Sequence, residues 1–306
     1  MEKDINETAL FFACRSGNEG LVRDLVERGL DIHKENEYGE SGNESLVKYL
    51  VEHGLNVNKK EGADKTPLFM TCDSGSENTV KYLVEQGGAN INVLDNLGRT
   101  PLFNACLSGS KNLIKYLVEH GVDINKTDFE RATVLHHVSQ SEHKHLVKYI
   151  IDLGLNVNKE DEYGCTPLFY ACKKDDNQLM KYLIDQGIDI NKENKNDETL
   201  LFYACTYENL SLLKYLVHQG ANIEKENNEG ETLLFKACYE GNTSIVKYLV
   251  EQRADVNKEN ENGENPLFYA RDFGDERIVR YLMEHGAKES KRNRYDVYNY
   301  SDFSFF

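Results

Sequence analysis

The sequence predicts an all-α solenoid of stacked two-helix repeats, and three observations carry that reading. A Thr-Pro-Leu-Phe-type marker recurs at Thr66, Thr100, Thr133, Thr166, Thr199, Thr232 and Asn265, spaced by 34 residues and then by 33 five times. A Val-Glu-His-Gly-type marker keeps the same register at Gly29, Gly54, Gly87, Gly121, Gly154, Gly187, Gly220, Arg253 and Gly286. Between the markers, apolar residues fall at helical spacing in two runs that are each too short to be stable alone. Such helices must bury their faces against neighbouring repeats, so the chain grows by adding layers.

The repeat from Thr100 to Asn125 shows how each element follows. Thr100 suits an N-cap, where its hydroxyl can accept a free backbone N–H. Pro101 fits the first helical position, which needs no N–H. Leu102, Phe103, Ala105 and Cys106 form the apolar face of the first helix, and Gly109 can end it in a left-handed conformation. Leu113, Ile114, Leu117 and Val118 supply the face of the second helix, closed by Gly121. Val122-Asp123-Ile124-Asn125 then leads through a polar turn to the next repeat.

These motifs resemble the ankyrin family, whose repeat of about 33 residues carries Thr-Pro-Leu-His-x-Ala, a β-turn and two antiparallel helices. Thr100-Pro101-Leu102-Phe103-Asn104-Ala105 and Thr166-Pro167-Leu168-Phe169-Tyr170-Ala171 match that signature, with Phe usually replacing the His that His136 retains. The resemblance covers about residues 5–287. The expected organisation is nine repeats, near 5–34, 35–59, 60–93, 94–126, 127–159, 160–192, 193–225, 226–258 and 259–287, joined by turn or hairpin connections. A basic and aromatic tail, 288–306, follows.

The pattern breaks in places. Only 25 residues separate Gly29 from Gly54, because the second repeat lacks its first helix; loose docking of the first repeat is the expectation there. Arg253 stands where a helix-ending Gly is usual, at a strain of about 1 kcal/mol if it is left-handed. Glu142, Asp175 and Glu208 replace the first-helix Gly.

Composition limits the function classes. A net charge of −16 argues against a nucleic-acid binder and favours a partner with a basic or mixed surface. Lys288 to Arg294 reads as a solvated basic cluster, with a nuclear-import signal as the alternative. Residues Met1 to Gly20 lack the pattern of a signal peptide, and no stretch has the length of an apolar membrane span. Seven cysteines in such a chain suggest reduced thiols and a cytoplasmic setting, with the nucleus as alternative.

Six cysteines, Cys14, Cys72, Cys106, Cys172, Cys205 and Cys238, occupy one repeat position and read as small core hydrophobes. Cys165 falls in a turn and is the candidate reactive thiol. His136, His137, His143 and His145 cluster in one repeat, but three or four converging ligands would be needed to hold zinc. No Walker loop, His-Glu-x-x-His or Gly-x-Ser-x-Gly motif is present, and Asp272-Phe273-Gly274 lacks the rest of a kinase signature. No catalytic residue, metal or cofactor is expected. A recurring lysine on the second helix (Lys48, Lys81, Lys115, Lys148, Lys181, Lys214, Lys247) has an acid four residues on in most repeats, which predicts a charge-balanced solvent face.

The resemblance implies that a partner contacts the turn tips and the exposed side of the first helices, together a concave surface. On this chain the turn positions include Phe129, Tyr163 and Glu261. The first-helix positions include Tyr170, Lys173, Tyr203, Tyr207, Tyr239, Tyr269 and Phe273. Tyrosines are favoured binding anchors, and the competing reading is that they stack on one another between layers. In the tail, Tyr295, Tyr298, Tyr300, Phe303, Phe305 and Phe306 suit a cap over the last layer or a linear motif. The expected function is a monomeric, non-catalytic scaffold or adaptor for another protein. Alternatives are a substrate-recruiting or inhibitory subunit of an enzyme complex, a nuclear regulator of a DNA-bound factor, and, requiring the histidines or Cys165, a metalloprotein or enzyme.

Overall fold

The computed structural model describes residues 51–290, except 53, 55, 61, 173–176 and 274 and the side chain of Asn177. The first repeat, nearly all of the shortened second one, Cys14, Lys173, Asp175 and the tail from residue 291 therefore lie outside the described residues. The chain divides into two compact units, residues 1–162 and 163–306.

In the first unit, helices α1 (Pro67–Asp73) and α2 (Glu77–Glu85), α3 (Pro101–Leu107) and α4 (Lys111–Glu119), and α5 (Val134–Ser139) and α6 (His145–Asp152) form three layers. Among its described residues the second unit has four: α7 (Pro167–Ala171) with α8 (Asn177–Asp185), α9 (Leu200–Thr206) with α10 (Leu210–His218), α11 (Leu233–Tyr239) with α12 (Thr243–Glu251), and α13 (Pro266–Asp272) with α14 (Glu276–Glu284). First helices pack on first helices: α1 on α3, α3 on α5, then α7 on α9, α9 on α11 and α11 on α13. Leu68, Leu102, Leu135, Leu168, Leu201, Leu234 and Leu267, one from each layer, are all buried, as are the paired apolar residues of the second helices such as Ile114/Leu117 and Val246/Leu249. The layered burial predicted from the register is thus the core.

The capping differs from expectation. Thr100 has the extended backbone of an N-cap, but its side chain accepts no capping bond. The hydroxyls of Thr100, Thr166, Thr199 and Thr232 are buried without a partner among the described residues. Thr133 shows why. Its hydroxyl and backbone N–H lie 2.9 and 3.0 Å from Nδ1 of His136, so the imidazole accepts where Phe in the other repeats offers nothing. Side-chain caps sit mostly on second helices, where Ser110, Asn209, Asn242 and Asp275 accept from the N–H groups of Leu113, Leu212, Ile245 and Ile278; among first helices, Asn265 caps α13 by accepting from Phe268 N–H.

Two glycine positions also refine the reading. Gly87 is not left-handed; Gly88 takes φ +68° instead, and a Cβ on Gly87 would meet the Leu83 carbonyl oxygen at 2.8 Å. The extra residue between these markers explains the single 34-residue spacing. Arg253, at φ +67°, does adopt the left-handed geometry that glycine holds in its neighbours, and Glu208 does so at φ +54°. Glu142 is not among the positive-φ residues.

The lysines of the second helices reach across layers. Lys115 lies 3.8 Å from Glu119 as the i,i+4 spacing predicts, with both side chains largely in water. Lys81, Lys181, Lys214 and Lys247 instead place their ammonium groups 5.2–5.8 Å from the ring centres of Tyr116, Tyr215, Tyr248 and Tyr281 in the following layer. These four repeats thus each gain a weak cation–π tie to the next one.

Candidate protein-interaction surface

The turns between layers are built by one side chain. Asp95, Asn194, Asn227 and Asn260 each accept two backbone N–H bonds through Oδ1, from residues two and four further on. Backbone pairs close the same turns, as between Asn227 N–H and the Glu231 carbonyl at 2.9 Å. Asp161 holds the equivalent position and is buried, so the acidic run Glu160-Asp161-Glu162 presents fewer charges to water than its sequence suggests.

A backbone rung then joins each turn tip to the preceding one. In the first unit Phe129 N–H donates to the Leu97 carbonyl at 2.9 Å, and Glu162 N–H donates to that of Glu130 at 2.7 Å. In the second unit Lys195, Asn228 and Glu261 donate to Tyr163, Asn196 and Glu229 at 2.8–3.1 Å. Phe129 and Glu261 are therefore placed by main-chain bonds while their side chains stay exposed; Phe129 is 69% exposed and lies against Gly98. Tyr163 is also exposed.

On the first helices of the second unit the aromatics divide by position. Tyr203 packs edge-on against Phe169 of the preceding layer, with ring centres 4.9 Å apart. Its hydroxyl accepts from Asn194 Nδ2 at 3.3 Å and lies 3.4 Å from Cys165 Sγ. Burial first, and then that sulfur contact, push the phenol upward in pKa. Tyr269 packs the same way against Phe235, with ring centres 5.7 Å apart. Its hydroxyl donates to Glu231 Oε1 at 2.6 Å and Glu264 Oε2 at 3.3 Å. Burial and the Glu231 bond raise its pKa strongly. Tyr170 shares this register and is half-buried. Tyr207, Tyr239 and Phe273 lie toward the ends of their helices and remain 40–52% exposed. Tyr239 and Phe273 meet edge to face at 4.6 Å.

The carboxylates that border this surface were not singled out from sequence. Glu198, Glu231 and Glu264 directly precede the marker residues of the last three layers. Asn194 and Asn260 donate to Glu198 and Glu264 at 2.9 and 3.0 Å. These bonds from neutral amides and phenols orient the carboxylates, and Glu198 also faces the Lys236 ammonium. Lys236, in the same groove, pairs with Glu240 at 2.8 Å. The available signal was the residue before each marker, which changes from Lys65 and Arg99 to three glutamates along the chain.

The other candidates take structural places. Cys165, expected to be reactive, is buried in its turn because its side chain points under the next first helix toward Tyr203. Cys72, Cys106, Cys172, Cys205 and Cys238 are buried free thiols, and burial pushes Cys172 and Cys205 up to about 12. His136 is buried, His137 Nε2 lies 2.8 Å from Asp128 Oδ2, and the rings of His143 and His145 meet edge to face at 6.1 Å. Among the described residues no three His, Cys, Asp or Glu side chains converge in a way that could hold a metal ion. No described helix is long and apolar enough to cross a membrane.

A layered stack of two-helix repeats, with turn tips tied by main-chain rungs, defines a helical repeat protein. The chain belongs to the ankyrin repeat family: the family model "Ankyrin repeats (3 copies)" matches residues 36–128, 127–194 and 201–293, and the model "Ankyrin repeat" matches 6–34. Ankyrin repeats generally mediate protein–protein interactions and are typically non-catalytic. A comparison with curated proteins gives no match.

Proposed function

We propose that this chain is a non-catalytic adaptor that binds another protein through its turn tips and the exposed ends of its first helices. The observation that carries the proposal is the pair Tyr239 and Phe273, two large rings held edge to face with about half of each left in water. Exposed aromatics that neighbouring layers already fix in place lose little conformational freedom on binding, which is what a binding anchor needs. Glu261, Tyr207 and Tyr163 extend the same surface in the second unit, and Phe129 offers an anchor in the first. The setting proposed is the cytoplasm, and the partner's contact surface is basic or mixed, to match the acidic chain.

Affinity capture with the wild-type chain beside a Tyr207/Tyr239/Phe273→Ala variant tests this. Tyr203 and Tyr269 are left intact because they pack between layers. Loss of specific prey from a variant whose unfolding midpoint is unchanged is the expected result. Identical prey lists would remove the surface from consideration.

A further inference from the structure

Between the turns and first helices of the second unit lies a groove lined by Glu198, Glu229, Glu231, Lys236, Tyr239 and Tyr269. Three carboxylates there face one ammonium, that of Lys236, which pairs with Glu240 and lies 5.1 Å from the Tyr239 ring centre. Tyr239 and Phe273 also border a second hollow with Glu240, Asp275, Glu276 and Arg277, where Arg277 pairs with Asp275 at 3.2 Å. In each hollow three carboxylates face one cation. Glu231 is oriented by Tyr269 at 2.6 Å and by Asn260 at 3.4 Å, so its carboxylate is fixed before any ligand arrives.

We infer that this groove takes an extended partner segment that lays a Lys or Arg side chain toward Glu231 and Glu198, with an adjacent apolar side chain against Tyr239 and Phe273. The inference rests on the interaction reading above and names the partner's chemistry. A guanidinium or ammonium there meets two carboxylates that neighbouring side chains already orient. Charge-assisted hydrogen bonds from both act on one group. An acidic segment would meet more like than opposite charge in both hollows, so the groove selects by repulsion as well as attraction.

The test sorts an unbiased displayed library of 12-residue peptides on the full chain, then measures the recovered peptides against three variants. Glu198→Gln/Glu231→Gln keeps hydrogen-bond acceptors and removes two charges, Tyr239→Ala/Phe273→Ala removes the anchors, and Glu251→Gln, on α12 of the same unit, is a control outside the lining of both hollows. The expected result is enrichment of Lys and Arg in the recovered peptides, at least tenfold weaker binding to the first two variants, and unchanged binding to the third. Binding should also weaken as salt is raised. Recovered peptides without basic enrichment that still lose binding to Tyr239→Ala/Phe273→Ala would overturn this inference and leave the interaction reading standing. Peptides indifferent to both double variants, or no recovered peptides at all, would overturn both. Matched unfolding midpoints for the variants keep loss of fold from passing as loss of binding.

Discussion

The hydroxyl of Tyr269 reaches from α13 back to the turn before α11 and donates a 2.6 Å hydrogen bond to Glu231. The ring that carries it leans edge-on against Phe235 of α11. One side chain therefore couples the last described layer to both the turn and the first helix of the layer before it.

Tyr269→Phe keeps the ring and deletes the bond to a charged acceptor. It should cost about 1–2 kcal/mol of stability. Urea unfolding of the variant beside wild type reads this as a lower midpoint at constant slope. An unchanged midpoint would mean that the phenol–carboxylate contact contributes nothing.

The threonine series offers a contrast within one protein. Thr100→Val and Thr232→Val replace unpartnered buried hydroxyls by a methyl of similar shape, so stability should hold or rise by up to about 1 kcal/mol. Thr133→Val removes a hydroxyl that His136 engages and should lose about 1 kcal/mol. Opposite signs at equivalent positions, measured by chemical denaturation, would establish that the Phe-for-His replacement is what orphans the hydroxyl.

Arg253→Gly relieves a left-handed backbone at φ +67°. A gain of about 0.5–1 kcal/mol is expected, since the strain removed outweighs the added freedom of the unfolded chain. Gly220→Ala, at φ +91°, should lose a comparable amount. Thermal unfolding of the two variants should therefore shift in opposite directions.

Alkaline pH should unfold the protein through its buried acids. Cys172 and Cys205 are raised by burial from 9.0 to about 12, and Tyr116 is raised from 10.0 to about 12, first by burial and then by its bond to Glu85. A raised folded-state pKa gives stability that is full below the unfolded value and is lost as pH climbs toward the folded one. Stability should therefore be flat, as far as these groups decide it, below pH 9.0 and decline above it. In a Cys14→Ser background, thiol labelling of the remaining cysteines at neutral pH should follow unfolding, not run ahead of it. Fast labelling of native protein would contradict the burial of Cys165.

What the sequence made legible was periodic. The register of markers places the buried leucines, the left-handed Arg253 and the cysteines shared by most layers, because the positions they occupy recur from layer to layer and the layers pack alike. Features that depend on what lies in the adjacent layer were hidden. Thr100 looks like a cap until Phe103 is seen to leave its hydroxyl alone. Cys165 looks exposed in its turn until Tyr203 is placed above it. The tyrosines split by helical position: Tyr203 and Tyr269 fall where the preceding layer supplies a phenylalanine, while Tyr239 and Phe273 fall where the helix runs past its neighbour into water. The glutamates before the markers escaped notice because a carboxylate in a turn, taken alone, signals only solvent.

The rungs that fasten one turn tip to the next use only main-chain atoms, from Phe129 to Leu97 in one unit and from Glu261 to Glu229 in the other. Any residue other than proline can donate at the first-named positions, so a side chain there can be exchanged without loosening the ladder. Recognition can therefore be rewritten one tip at a time, and an engineer seeking a new specificity has a row of independent dials that leave the scaffold's own assembly untouched.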